Sequence, residues 1–253
     1  MELPREMGKD GEGVGDPRIT GEYIRQLGGE NGNLTLVGVV HDHPASTYRA
    51  ASTVRSLRPD VLALELPPMA VPLFEQYAKT DRSPPVFGGE MSAAIKAAEA
   101  VETVGIDRPT RGYFARLSRK VVRERPSPAT VRKVLSDATS ATKHAVVCRL
   151  ASAVSARTSV RLEVDSPVIH DIDRRDSPKE QADDEHRQIR QSRAFMEAFR
   201  NASATRASRF GDRVREEHMA DRLSKLCRGG DTVAVVGVHH LDPLAEKLSG
   251  NDN

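Results

Sequence analysis

LTLVGVVHDHP, residues Leu34 to Pro44, decides how the chain is read. With Asn33 it forms NLTLVGVV, a β-rich apolar run with no polar alternation. Such a run suits a strand covered on both faces, as in a parallel sheet. It ends in His-Asp-His. PASTYRAASTVRSLRP follows and reads as a helix. Ser46 is its predicted cap, Val54 and Leu57 share a face, and Pro59 stops it. DVLALEL is then a second covered strand. Strand, helix and strand in this order make one βαβ unit.

Outward from that unit, the chain keeps the same grammar. ITGEYIRQLG predicts a first helix ending at Gly28 or Gly29, after a charged, Gly-rich leader over residues 1–18. PPMAVPLFEQYAKT predicts a short helix, and GGEMSAAIKAAEAVE a longer one with Met91, Ile95, Ala98 and Val101 on one face. TVGID predicts a strand ending at Asp107. Residues 108–160 hold twelve Lys and Arg against Glu124 and Asp137, a local excess of +10. Their apolar spacing predicts a basic helical insert broken at RPSPAT. SVRLEV predicts a further strand. SPKEQADDEHRQIRQSRAFMEAFR opens a helix on a capping box, Ser177 to Glu180, with Pro178 at its first position. A helix over about 206–227 precedes TVAVVGVHH, a predicted strand closing on two histidines, and DPLAEKL is a last helix. The expectation is one α/β domain over 19–253, with a mostly parallel or mixed central sheet flanked by helices.

Composition narrows the class. The chain has 253 residues, 38% hydrophobic, with no Trp and a net charge of +2. The core must rest on Val, Leu, Ile and Ala. Cys148 and Cys227 are too few for a disulfide framework, and no Cys-x-x-Cys metal knuckle occurs. No stretch approaches the roughly 18 apolar residues of a membrane span. A cytoplasmic protein is expected.

The strand ends carry the chemistry. The first run ends at His41, the second carries Glu65, TVGID ends at Asp107 with Arg108 next, and the last run ends at His239 and His240. In open α/β sheets, ligands bind beyond the carboxyl ends of the strands. A lone histidine after a strand is usually a loop or core residue. Two apolar strands ending in Gly-x-x-His, Gly38 to His41 and Gly237 to His240, are less ordinary. Glu65 sits in an apolar run, where an unpaired carboxylate costs several kcal/mol. In VREEHMADRLSKL, Arg215 falls on the stripe of Met219, Leu223 and Leu226. An inward Arg needs an anion or carbonyl, although a single Arg can also snorkel outward.

LVGVVHDHPAS, RPDVLALEL, GGEMSAAIKAA, GIDRP, REEHMADRL and VAVVGVHHL, in this order and spacing, resemble the TraB/PrgY family, relatives of the Tiki proteases and GumN-like proteins. The resemblance covers about residues 34–115 and 205–245. It implies a hydrolase of peptide or amide bonds that depends on a divalent metal such as manganese or cobalt. Its motifs fall on Gly38 and His41, Glu65, Asp107 and Arg108, Arg215, and Gly237 and His240. The residue after the helical Arg, often Asn or Asp in the family, is Glu216 here. Asp42 and His43 stand where small or apolar residues are usual.

The chemistry so implied puts Mn, Co or Zn on His41 and His240, with Glu65 as third ligand or as the base for bound water. Arg215 would hold the substrate oxyanion. Gly38 and Gly237 would let backbone approach closely, with Asp42, His43, Asp107, Arg108 and His239 around the ligands. Two other readings stay open. His and Glu could hydrolyse without metal, a His acting as general base. Or the fold could bind a ligand without turnover, with His43 and Tyr48 as haem candidates. The basic insert could meet nucleic acid or an anionic membrane surface. Its aromatics are only Tyr113 and Phe114, poor for base stacking, and it is expected mainly as a solvated face.

Overall fold

The computed structural model describes residues 15–29, 31–158, 162–164, 166–199 and 203–250. In chain order the elements are β1 (Ile24–Gly28), β2 (Asn33–Val39), α1 (Pro44–Leu57), β3 (Val61–Leu64), α2 (Val71–Ala78), α3 (Gly89–Ala98) and β4 (Glu102–Gly105). Then come α4 (Arg111–Glu124), α5 (Pro128–Ser155), α6 (Pro178–Ala198), α7 (Ser203–Leu226), β5 (Thr232–Gly237) and α8 (Val238–Ser249). The strands form one sheet in the order β1-β2-β5-β3-β4. β2, β5, β3 and β4 are parallel, and β1 is antiparallel at the edge. This is the expected α/β sheet, mixed and mostly parallel.

The apolar runs are explained by cover on both faces. Val37, Val39, Leu62, Leu64, Val233 and Val235 pack against α1, α2 and α3. Leu34, Leu36, Ala63, Ala234 and Val236 pack on the other side against α7 and α8, through Met219, Leu223, Leu241 and Leu244. Full burial of each Val, Leu or Met among these contributes about 1.5–3 kcal/mol. β5 lies at the centre, between β2 and β3, so the last strand completes the βαβ unit read at the start.

Three local readings are corrected. ITGEYIRQLG is not a helix: Gly21–Tyr23 make one 3-10 turn and Ile24–Gly28 are β1, paired from Ile24 with Val37 to Gly28 with Asn33. The open edge of β2 needs backbone partners, and the Gly- and Asn-rich residues after β1 allow a tight return. The tail of the predicted leader is anchored. Arg18 pairs with Asp16 at 2.6 Å, and the Arg18 carbonyl accepts from Arg49 Nε at 3.0 Å. Residues 1–14 lie outside the described residues. The cap of α1 is His43, whose Nδ1 accepts from the Ala45 amide at 3.2 Å. Ser46 lies inside the helix, where its hydroxyl accepts from the Val40 amide and donates to Glu185.

The strand read in SVRLEV falls partly outside the described residues, and Leu162–Val164 are not in a strand. The basic segment forms α4 and α5, broken at Arg125–Ser127, and packs through Tyr113, Leu117, Val134 and Ala138 on Phe210 and Val214 of α7. The capping box of α6 is present with both reciprocal bonds.

Candidate functional site

The parallel register brings the carboxyl ends of four strands to one edge of the sheet. Val39 lies beside Gly237, and Leu64 beside both Val235 and Gly105. His41, Glu65, Asp107 and Gly237 therefore all emerge there.

Arg215 of α7 is the centre of the buried part. Its Nε and Nη2 donate to the two Asp107 oxygens at 3.0 and 2.6 Å. Nη2 also donates to Glu65 Oε1 at 2.8 Å, and Nη1 lies 3.2 Å from His240 Nε2. The bidentate fork on Asp107 is the geometry a guanidinium prefers. Burial works against Arg215's charge, but Asp107 and Glu65 outweigh it and raise its pKa. Burial likewise pushes Asp107 up, and the Arg215 cation more than reverses this, so its pKa is lowered.

Glu65 has a second positive partner. Its Oε2 accepts the Gly237 amide at 2.7 Å, at the N-cap of α8. A helix start offers such amides to an anion. This corrects the reading of VAVVGVHH: β5 stops at Gly237, and His239 and His240 lie in the first turn of α8. A helix opening at Val238 turns the two side chains about 100° apart, not to opposite faces of a strand. His240 turns inward, its Nδ1 3.2 Å from Glu216 Oε1. His239 turns toward α6 and meets Ser192 Oγ at 3.2 Å. Burial lowers the pKa of His240, yet the Glu216 bond and the Glu65 charge leave it raised. Glu216 is held in turn by Lys247 at 3.2 Å.

His41 stands apart at the open rim. Its side chain is 60% exposed, and its Nδ1 lies 2.7 Å from Glu90 Oε1. Glu90, in the first turn of α3, is 3% exposed, and its Oε2 accepts the Asp42 amide at 2.9 Å. The Glu90 hydrogen bond first, then the Glu90 charge, raise the His41 pKa to about 9, with a further push from Glu65. Asp42 takes φ +58 and accepts the Val168 amide at 2.9 Å. His170 Nε2 meets the His41 carbonyl at 2.8 Å. Beside it lies a cavity of about 440 Å³ lined by Asp42, His170, Ile172 and Arg174.

The expected ligand set is therefore already committed. The His41 ring faces Glu90, and His240 spans Glu216 and Arg215. Glu65 spans Arg215 and the Gly237 amide. Glu65 and His240 are brought together, Oε1 3.5 Å from Nε2, and Arg215 bonds to both. Among the described residues, no group of three His, Cys, Asp or Glu is arranged to hold an ion. As held here, these donors do not fit a shared divalent metal.

Other expected residues fall into place differently. His43 is fully buried, with Nδ1 on the Ala45 amide and Nε2 3.2 Å from Asp184, which leaves no nitrogen for a haem iron. Tyr48 is stacked under Arg18, 3.5 Å from the guanidinium to the ring centre. Arg108 points to Tyr113 Oη at 3.4 Å. A Cβ on Gly38 would lie 2.9 Å from Leu241 Cδ2, so that glycine admits α8 against β2. A Cβ on Gly237 would make ordinary contact with Glu65 at 3.5 Å.

Sequence reasoning assigned no role to Glu90, Glu216 or Asp212. A signal existed for two of them: Asp212, Glu216, Met219 and Leu223 are spaced four, three and four apart, on the stripe already read as inward. Burial raises the Asp212 pKa, with His240 and Arg215 pulling against it. No family model, curated protein or solved structure matches the chain. The likeness to TraB/PrgY proteins rests on the six sequence segments alone.

Proposed function

We propose that the chain is a hydrolase of peptide or amide bonds that works through its own His and Glu side chains, in place of the divalent ion that the TraB/PrgY and Tiki resemblance implies. One observation carries the reading: an exposed His41 clamped by a buried carboxylate at the carboxyl edge of the sheet. A histidine held at one nitrogen by a carboxylate, with the other nitrogen open, is the arrangement of an acid–base catalyst. His41 Nε2 has no hydrogen-bond partner among the described residues.

In this reading the bound carbonyl draws Arg215 off Glu65 Oε1, and the freed oxygen takes the proton of the attacking water while the Gly237 amide holds Oε2 in place. The His41 imidazolium donates its Nε2 proton to the leaving amine nitrogen as the carbon–nitrogen bond breaks. Glu90 is a positioning residue that keeps the ring charged near neutral pH. Asp107 orients Arg215, and Glu216 orients His240. A divalent ion, the other route the resemblance implies, would need His41, Glu65 and His240 to leave their present partners.

The test uses fluorescein-labelled casein and aminoacyl p-nitroanilides as probes, with and without a chelator. The wild type releases product equally in both. His41→Asn and Glu65→Gln each lose about 10²- to 10⁴-fold, the range of a lost acid or base. Wild-type rates in either variant refute the assignment. Activity that vanishes on chelation and returns with Mn(II) or Co(II) moves the reading to the metal form.

A further inference from the structure

The second long helix of the insert, α5, has a face that the other described residues leave uncovered. Val134, Ala138, Ala145, Cys148 and Ser152 are buried on its inner side. On the outer side, Leu135, Val146, Leu150 and Val154 are exposed, Leu150 by 62%. Val146, Leu150 and Val154 are four apart, Arg132 and Lys143 precede Leu135 and Val146 by three, and eight residues separate Leu135 from Lys143. Such spacing keeps all of them on one side of the helix. Val147 and Arg149, also exposed, flank the stripe.

The charge on this face has one sign. The helix has a single acid, Asp137, which lies off the stripe and pairs with Lys133 at 3.2 Å. Arg132, Lys143 and Arg149 form no ion pair among the described residues. A solvated helix face needs no row of exposed aliphatics, and a packed one does not leave its cations unmatched. The combination of aliphatic side chains and unmatched cations on one long face suits the boundary between anionic headgroups and acyl chains.

We propose that the outer face of α5 docks the protein on an anionic phospholipid surface, lying in its plane. At 28 residues the helix offers a line of about 42 Å. No helix among the described residues is long and apolar enough to cross a membrane, so the attachment is peripheral. Other occupants match less of the face. A second copy would set like charges against like. Nucleic acid would use the cations but leave the aliphatics idle, and the stripe carries no aromatic for stacking.

The experiment is co-sedimentation of the full chain with vesicles of phosphatidylcholine, with and without phosphatidylserine. Binding is expected only with phosphatidylserine, and it weakens as salt is raised. Lys143→Ala and Arg149→Ala each weaken it about fivefold. Leu150→Glu weakens it about tenfold or more. These positions are exposed, and unchanged circular dichroism and melting confirm that the variants fold. Failure to pellet with phosphatidylserine vesicles overturns the proposal, and so does wild-type binding by Leu150→Glu. A salt-sensitive shift of duplex DNA without vesicle binding, or a dimer dissolved by Leu150→Glu without vesicle binding, also overturns it. None of these readouts depends on hydrolysis.

Discussion

Replacing Glu90 by glutamine separates charge from shape at the rim of the site. Glu90 accepts a hydrogen bond from His41 Nδ1 at Oε1, at 2.7 Å, and from the Asp42 amide at Oε2, at 2.9 Å. Glutamine fits the same space and its one carbonyl oxygen serves one of these donors, but the negative charge is gone. The Glu90 bond and charge are the two largest reasons the His41 pKa stands at about 9. Without them it should fall toward the ordinary value of about 6.5. At pH 7 the wild-type ring is then about 1% neutral, and the variant ring about three-quarters neutral.

The stability effect is smaller than that shift suggests. A ring 60% exposed is screened by solvent, so the pair contributes about 1 kcal/mol or less. The sign is fixed by linkage. A raised histidine pKa gives stability that is full below about 6.5 and is lost as pH rises through about 9. The wild type should therefore exceed Glu90→Gln in urea melts near pH 6, and the gap should close above about pH 9. The direct assay is NMR titration of the imidazole Cε1 protons, with His41→Asn removing one of the eight histidine signals to assign it. If His41 acts as the acid, hydrolysis falls as pH rises through about 9 in the wild type and through a lower value in the variant. A wild-type His41 that titrates near 6.5, or one that Glu90→Gln leaves unmoved, refutes the reasoning.

Further outcomes follow from the buried part. Arg215→Met should cost roughly 3–5 kcal/mol in urea unfolding, because it strands Glu65 and Asp107 as unpaired buried charges; a loss under about 1 kcal/mol counts against the network. Asp107 has a lowered pKa, so its pairing stabilises at and above its ordinary range and is lost as pH falls through its folded value. Asp107→Asn should flatten that acid limb of the stability curve. Gly38→Ala meets Leu241 at 2.9 Å and should destabilise by about 1–3 kcal/mol, whereas Gly237→Ala, at 3.5 Å from Glu65, should be close to neutral in thermal melts.

What the sequence made legible was what short-range patterning controls. NLTLVGVV and DVLALEL are apolar on both sides because helices cover both faces, and their reading as parallel strands needs no tertiary knowledge. Ser177-Pro178-x-Glu180 states its own cap. ITGEYIRQLG was opaque because Ile19, Tyr23 and Leu27 also satisfy a helical period; only the unpaired edge of β2 makes the strand the better state. In sequence the double histidine looks like a strand end because Val238 continues the apolar run. The N-cap at Gly237 wins there because its amide meets a carboxylate brought in from β3. Glu90 was hidden for a similar reason. A glutamate in the first turn of a helix is ordinary on its own, and its burial comes from a turn nearly fifty residues earlier in the chain.

The site divides into a buried half and an exposed half, and the division has a consequence. Arg215, Asp107, Glu65 and His240 tie α7, β4, β3 and α8 together, so substitutions there act on folding before they act on chemistry. Among the described residues the His41 side chain bonds only Glu90 of α3, and it lies open to solvent. If His41 is the reacting acid, His41→Asn should thus lower hydrolysis about 10²- to 10⁴-fold at nearly unchanged stability, while Arg215→Lys, which keeps charge but loses the fork on Asp107, should lose stability in step with any activity. Only the first kind of variant isolates a reacting group. If His41→Asn unfolds the protein as readily as Arg215→Met does, His41 belongs to the scaffold, and the acid–base role assigned to it fails with that result.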